Sequence, residues 1–219
     1  TYLNLRDNPN LTSYDVTSIS TLETIIGGDN GSLSSIDISD NTNLTYLNHQ
    51  TCNLSSIDLS NNTLLEHISL TNNSLTSLDV STNTALTYLN CNNNSLTSLD
   101  VDSNTALELL SCQGNSITSL DVSNNTALEF LYCGSNQLTS LDVSNNTALS
   151  GFSCDSNQLT SLDVSNNTAL EYLTCGGNSL GILDVTNNTA LTVLQCGSNQ
   201  LTSLDVRNGN NTNFTSFVA

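Results

Sequence analysis

From about Leu44 onward the apolar residues return in two short groups, L-x-x-L-x-V and L-x-x-L-x-C, and each group is followed three residues later by Asn. The whole pattern recurs every 21 residues, most plainly in Leu159 to Ser179, which reads LTSLDVSNNTALEYLTCGGNS. Within L-D-V and L-x-C the period is two, so the first and third residues point inward and the middle one outward, as on a half-buried strand. Each unit therefore predicts two short strands and two turns. No helical period survives anywhere, so the wall opposite the main sheet is expected to be extended or irregular. A unit this small cannot bury its apolar side alone, and stacking on its neighbours makes one continuous core. The expectation is an all-β solenoid over residues 1–219, of about ten parallel coils with few or no helices.

Equivalent positions in successive coils lie about 4.8 Å apart, so the columns of the solenoid can be read from the sequence. One inward column runs His49, Leu70, Cys91, Cys112, Cys133, Cys154, Cys175 and Cys196. Its counterpart in the first half runs Val16, Ile38, Leu59, Val80 and on through Val206. Two Asn columns close the strands, represented by Asn94 and Asn83, whose amides can bond turn backbone and stack on the amide of the next coil. Cys52 falls in the first Asn column. Thr1 to Leu5 begins partway through a strand, and Phe214 to Ala219 stops on the slot that Cys fills elsewhere. With no polar cap over either end, the chain reads as a fragment lacking both natural caps, and Arg207 to Asn213 as a longer turn.

Charge narrows the partners. Two Lys and Arg stand against 20 Asp and Glu, for a net charge of −18. Such a surface has no phosphate-tracking groove and no attraction to anionic lipid, which excludes nucleic acid. No apolar run is long enough to insert in a membrane.

The cysteines are spaced 21 residues apart on in-register strands, where their side chains point the same way and do not reach disulfide geometry. No C-x-x-C pair suggests zinc. They read as small apolar fillers of a narrow core. The outward Asp column includes Asp79, Asp100, Asp121, Asp142 and Asp163. Neighbouring Ser hydroxyls, such as Ser77 and Ser81 beside Asp79, can satisfy these carboxylates. Calcium held between neighbouring carboxylates is the lesser alternative, and no other cofactor is expected.

The outward positions of the L-x-C strands behave differently, because they change from coil to coil while the scaffold repeats. One column carries Tyr46, His67, Tyr88, Leu109, Phe130 and Tyr172, and the next carries Tyr132 among Asn, Ser and Thr. Rigid exposed aromatics offer large contact area at small entropic cost, and Glu66, Glu108, Glu129 and Glu171 supply an acidic rim. Cross-strand aromatic packing that merely shields the sheet is the competing explanation.

The run Leu170-Glu-Tyr-Leu173-Thr-Cys175-Gly-Gly-Asn178-Ser-Leu180 matches the leucine-rich-repeat signature. With its 21-residue period and column of Cys, the chain resembles the cysteine-laddered repeats of the internalin family and similar repeats in secreted proteins of marine bacteria. The resemblance implies a secreted or bacterial cell-surface protein with a ligand-binding concave sheet. The near absence of Lys departs from that family, where the linker often reads S-K-N.

An enzyme is not expected. His49 points inward and His67 outward, the thiols face the core, and neither a phosphate loop nor a nucleophile elbow is present. The expected function is recognition or adhesion, by a chain monomeric in isolation, binding a protein or glycan through the aromatic-bearing face. A structural spacer within a larger adhesin is one alternative. Ice or mineral binding through the Thr columns is another, although those columns fall at turns.

Overall fold

The computed structural model describes residues 1–209 and 214–218. Among these the only regular elements are three-residue strands: β1 (Tyr2–Asn4), β2 (Thr24–Ile26), β3 (Tyr46–Asn48), β4 (His67–Ser69), β5 (Tyr88–Asn90), β6 (Leu109–Ser111), β7 (Phe130–Tyr132), β8 (Gly151–Ser153), β9 (Tyr172–Thr174), β10 (Ile182–Asp184), β11 (Val193–Gln195), β12 (Ser203–Asp205) and β13 (Ser216–Val218). Eleven of them form one parallel sheet in the order β1 to β9, then β11 and β13. Registers run straight across it, with Tyr46 opposite His67 and His67 opposite Tyr88. The chain is a parallel solenoid, as the periodicity predicted. Part of the Arg207 to Asn213 turn and the slot at Ala219 lie outside the described residues.

The second strand per coil is the main correction. Among the described residues only β10 and β12 pair on the L-D-V side, forming a separate two-stranded sheet. The turn that follows is the same in unpaired and paired coils: Ser81 N–H binds the Asp79 carboxylate at 2.9 Å and Asn83 N–H the Val80 carbonyl at 3.0 Å, as Thr186 N–H binds Asp184 at 2.8 Å and Asn188 N–H the Val185 carbonyl at 3.0 Å. The paired coil carries Gly181-Ile182 where most others carry Thr-Ser.

The core is one continuous column of buried Leu, Ile, Val and Cys, with Phe152 replacing a Leu in β8. Each fully buried Leu contributes about 1.5–3 kcal/mol relative to an exposed one. The six cysteines Cys91, Cys112, Cys133, Cys154, Cys175 and Cys196 are free and buried, so the thiols fill space as expected. Burial raises all six thiols in pKa, Cys112 and Cys175 to about 12, which keeps them protonated and inert.

Both Asn columns tie coil to coil, though not amide to amide. Asn94 Nδ2 donates to the carbonyls of Leu70 and Cys91, each at 3.0 Å, and its Oδ1 accepts from Leu75 N–H. Asn83 Nδ2 donates to Leu59 and Asn62 carbonyls, but its Oδ1 has no partner, a pattern shared by Asn41 and by the column through Asn188. In that column the donor half of the amide does the tethering. Cys52, standing in the other column, places its thiol on the Gly27 and Gln50 carbonyls, a weaker copy of the Asn contacts.

Candidate recognition face

The varied columns form the outer face of the eleven-stranded sheet. The middle residue of each strand from Ile25 to Leu194 is buried, so its neighbours on either side face outward. Tyr46, His67, Tyr88, Leu109, Phe130 and Tyr132 are half-buried there, and Tyr172 is 52% exposed. The structure thus brings all seven candidate residues onto one face. It divides them into two groups.

Tyr46, His67 and Tyr88 form a stack, with ring centroids 4.2 and 4.0 Å apart and planes within 8° and 12° of parallel. The cause is register: three planar side chains occupy one column at one strand spacing. Both faces of the imidazole are covered, and this burial lowers the His67 pKa to about 4, so the ring is neutral at neutral pH. The competing packing explanation therefore describes these coils well.

The second group surrounds Gly151. A Cβ there would lie 2.8 Å from Phe130 Cδ1 and 3.2 Å from the Tyr132 hydroxyl, so both side chains lean over the space that the glycine leaves open. The Phe130 and Tyr132 rings are tilted at 31°, centroids 6.3 Å apart. Across Gly151, in register on the next strand, stands Tyr172. Beside this cluster a polar strip runs along the sheet: Ser153 Oγ donates to Asp155, and Gln113 Nε2 donates to Ser153 Oγ at 3.4 Å. Rings and hydroxyls thus lie side by side.

The Asp column lies elsewhere, on the L-D-V side. Each carboxylate is engaged by the residue two positions on: Asp79 by Ser81, Asp100 by Asp102, Asp121 by Ser123, Asp142 by Ser144 and Asp163 by Ser165, at 2.8–3.0 Å. These bonds hold Asp79, Asp121, Asp142 and Asp163 below the usual carboxylate range. The donors include backbone N–H groups, where the sequence suggested hydroxyls alone. Among the described residues no group of three or more His, Cys, Asp or Glu side chains converges as a metal-binding cluster.

His49 lies in the core with Tyr14, a pairing the sequence did not reveal. The Tyr14 hydroxyl and His49 Nε2 are 2.7 Å apart, on the other side of the sheet from His67. Both are large polar side chains in columns that are otherwise apolar. That coincidence was the available signal.

No family model matches the chain, and no curated protein does. Among solved structures, the functional domain of InlJ from Listeria monocytogenes, which includes a cysteine ladder, is 37% identical with a TM-score of 0.76. That match covers 93% of this chain and 49% of the other, so the chain spans about half the length of its relative. The internalin InlF of Listeria monocytogenes is 21% identical, TM-score 0.57, covering 91% of this chain and 81% of its own. YopM, a leucine-rich effector of Yersinia pestis, is 21% identical, TM-score 0.73, with coverages of 89% and 60%. The latter two similarities concern the fold alone.

Proposed function

We propose that this chain, a leucine-rich-repeat solenoid with internalin-like coils and a cysteine ladder, is a recognition module that docks a partner on the outer face of its eleven-stranded sheet. The observation that carries this reading is the contrast between the two sides of one coil. The Asp side repeats nearly unchanged and satisfies its own polar groups, whereas the sheet side changes coil by coil and offers Phe130, Tyr132 and Tyr172 around Gly151. Aromatics on a rigid scaffold are the usual anchors of a binding surface. The likeness to the InlJ domain supports a secreted or bacterial cell-surface setting and an adhesive role. No helix of the described residues is long and apolar enough to cross a membrane.

A binding screen against surface proteins and glycans tests the reading, comparing the unaltered chain with a variant carrying Phe130→Ala, Tyr132→Ala and Tyr172→Ala. Loss of a partner in the variant supports the face; equal binding by both defeats it. A spacer role is the second reading, favoured by the Tyr46–His67–Tyr88 stack, whose rings are engaged with one another. A spacer retains all its properties when the Gly151 cluster is removed.

A further inference from the structure

The charges around the sheet face are unevenly engaged. The chain has two cationic side chains, and both are committed: Arg6 pairs with Asp29 at 2.8 Å, and Arg207 pairs with Asp205. No cation is left to attract a sulfated, phosphorylated or carboxylated ligand. The carboxylates fall into two classes. Those of the Asp column each accept a hydrogen bond from their own turn. Glu66, Glu108, Glu129 and Glu171 are exposed, and their carboxylates take neither a hydrogen bond nor an ion pair among the described residues.

The placement of these four is specific. Each immediately precedes an outward residue of the face: His67, Leu109, Phe130 and Tyr172 respectively. Glu108 and Glu129 lie on adjacent coils, about 4.8 Å apart along the sheet, and Glu66 and Glu171 lie two coils beyond on either side. A row of unengaged carboxylates thus borders the aromatic column over the length of six coils. We propose that the occupant of the sheet face is a cationic polypeptide segment, lying along the coils with Lys or Arg side chains on Glu66, Glu108, Glu129 and Glu171 and its apolar parts on Phe130, Tyr132 and Tyr172.

The proposal rests on the reading of this face as the recognition surface. Guanidinium and ammonium groups suit both components, since they pair with carboxylates and sit favourably over aromatic rings. A neutral glycan suits them less well. It could stack on the same rings, but it would bring no positive charge to the four carboxylates.

Isothermal titration with three probes, deca-arginine, deca-glutamate and cellohexaose, tests the inference. Deca-arginine is expected to bind and the other two are not. A variant with Glu66→Gln, Glu108→Gln, Glu129→Gln and Glu171→Gln is expected to lose about tenfold in affinity, since rim charge pairs are individually weak but act together. The control removes the same number of charges from the other side, with Asp79→Asn, Asp100→Asn, Asp121→Asn and Asp142→Asn, and leaves an acceptor oxygen in each turn. It is expected to stay within about twofold, because the remaining effect is long-range and screened. Equal losses in the two variants, or binding of cellohexaose in place of deca-arginine, would overturn the cationic occupant. The Phe130→Ala, Tyr132→Ala, Tyr172→Ala variant separates the two layers. If it weakens binding while the Glu variant does not, the face stands and the cationic occupant falls; if neither weakens binding, both fall.

Discussion

The Tyr14 hydroxyl meets His49 Nε2 at 2.7 Å against a core lined mainly by Leu, Ile, Val and Cys. Gly27 makes the meeting possible. It occupies the same column one coil earlier, and a Cβ there would lie 2.2 Å from His49 Nε2. His49 Nδ1 has no partner, and burial lowers the pKa of the ring to about 4.

A pH dependence of stability follows from that pair. The native imidazole stays neutral down to about pH 4, whereas the unfolded one takes up a proton below about 6.5. The contribution is complete above about pH 6.5, declines as pH falls towards 4, and amounts to about 3 kcal/mol over that window. His67 acts with the same sign. Urea unfolding at pH 7 and pH 4.5 is expected to show this decline, and Tyr14→Phe combined with His49→Leu is expected to reduce it markedly. An undiminished decline in the double variant would refute the assignment to His49.

The buried Asn ladder should be costly to interrupt. Asn104 Nδ2 donates to the Val80 carbonyl at 3.0 Å and the Asn83 carbonyl at 2.9 Å, both in the preceding coil. Asn104→Ala removes the bond that each carbonyl receives from the next coil and leaves only its turn bond, from Asn83 N–H and Leu86 N–H respectively, and is expected to cost about 1–3 kcal/mol. Asn124→Ala, at an exposed turn position, is expected to change stability by less than about 0.5 kcal/mol. Similar values for the two in equilibrium unfolding would contradict the tethering role.

The thiols should report their columns. Burial raises the pKa of Cys52 as well as of the six ladder thiols, but Cys52 is only half-buried whereas the ladder cysteines are buried. A disulfide reagent such as Ellman's is therefore expected to label Cys52 first in the native chain, and Cys91 through Cys196 only on unfolding. Rapid native labelling of Cys133 would show that the ladder is open.

Gly151→Ala offers a mild probe of the aromatic cluster. The added methyl would push against Phe130 Cδ1 and the Tyr132 hydroxyl, side-chain atoms on the half-buried outer face and not backbone. Thermal stability is expected to change by less than about 1 kcal/mol, while affinity for any partner of the face drops. Unchanged affinity would place that partner elsewhere.

The sheet, its register and the burial of the cysteine column were legible because period two and period 21 act on the same residues. The L-D-V strands show where that logic stops. Leu78 and Val80 are buried as expected, yet the segment between them does not pair, while Ile182–Asp184, with the same alternation and the same Asx turn, does. Alternation reports which side chains face inward and does not report where backbone hydrogen bonds go. The site was legible to the same depth. All seven candidates reached the outer face, but sequence alone treated them as one surface. The stacking of His67 between two tyrosines, and the leaning of Phe130 and Tyr132 over Gly151, depend on side-chain rotamers that a column of letters does not contain. Tyr14 and His49 are 35 residues apart, and a period of 21 does not align them.

Hydroxyl-radical footprinting of the native chain, read by mass spectrometry, tests most directly the register that hides one set of side chains and offers another. Strong oxidation is predicted at Tyr172, with moderate oxidation at Phe130, Tyr132 and Tyr88, and protection at Leu89, Leu131 and the ladder from Cys91 to Cys196. Oxidised ladder thiols beside protected sheet-face aromatics would contradict it.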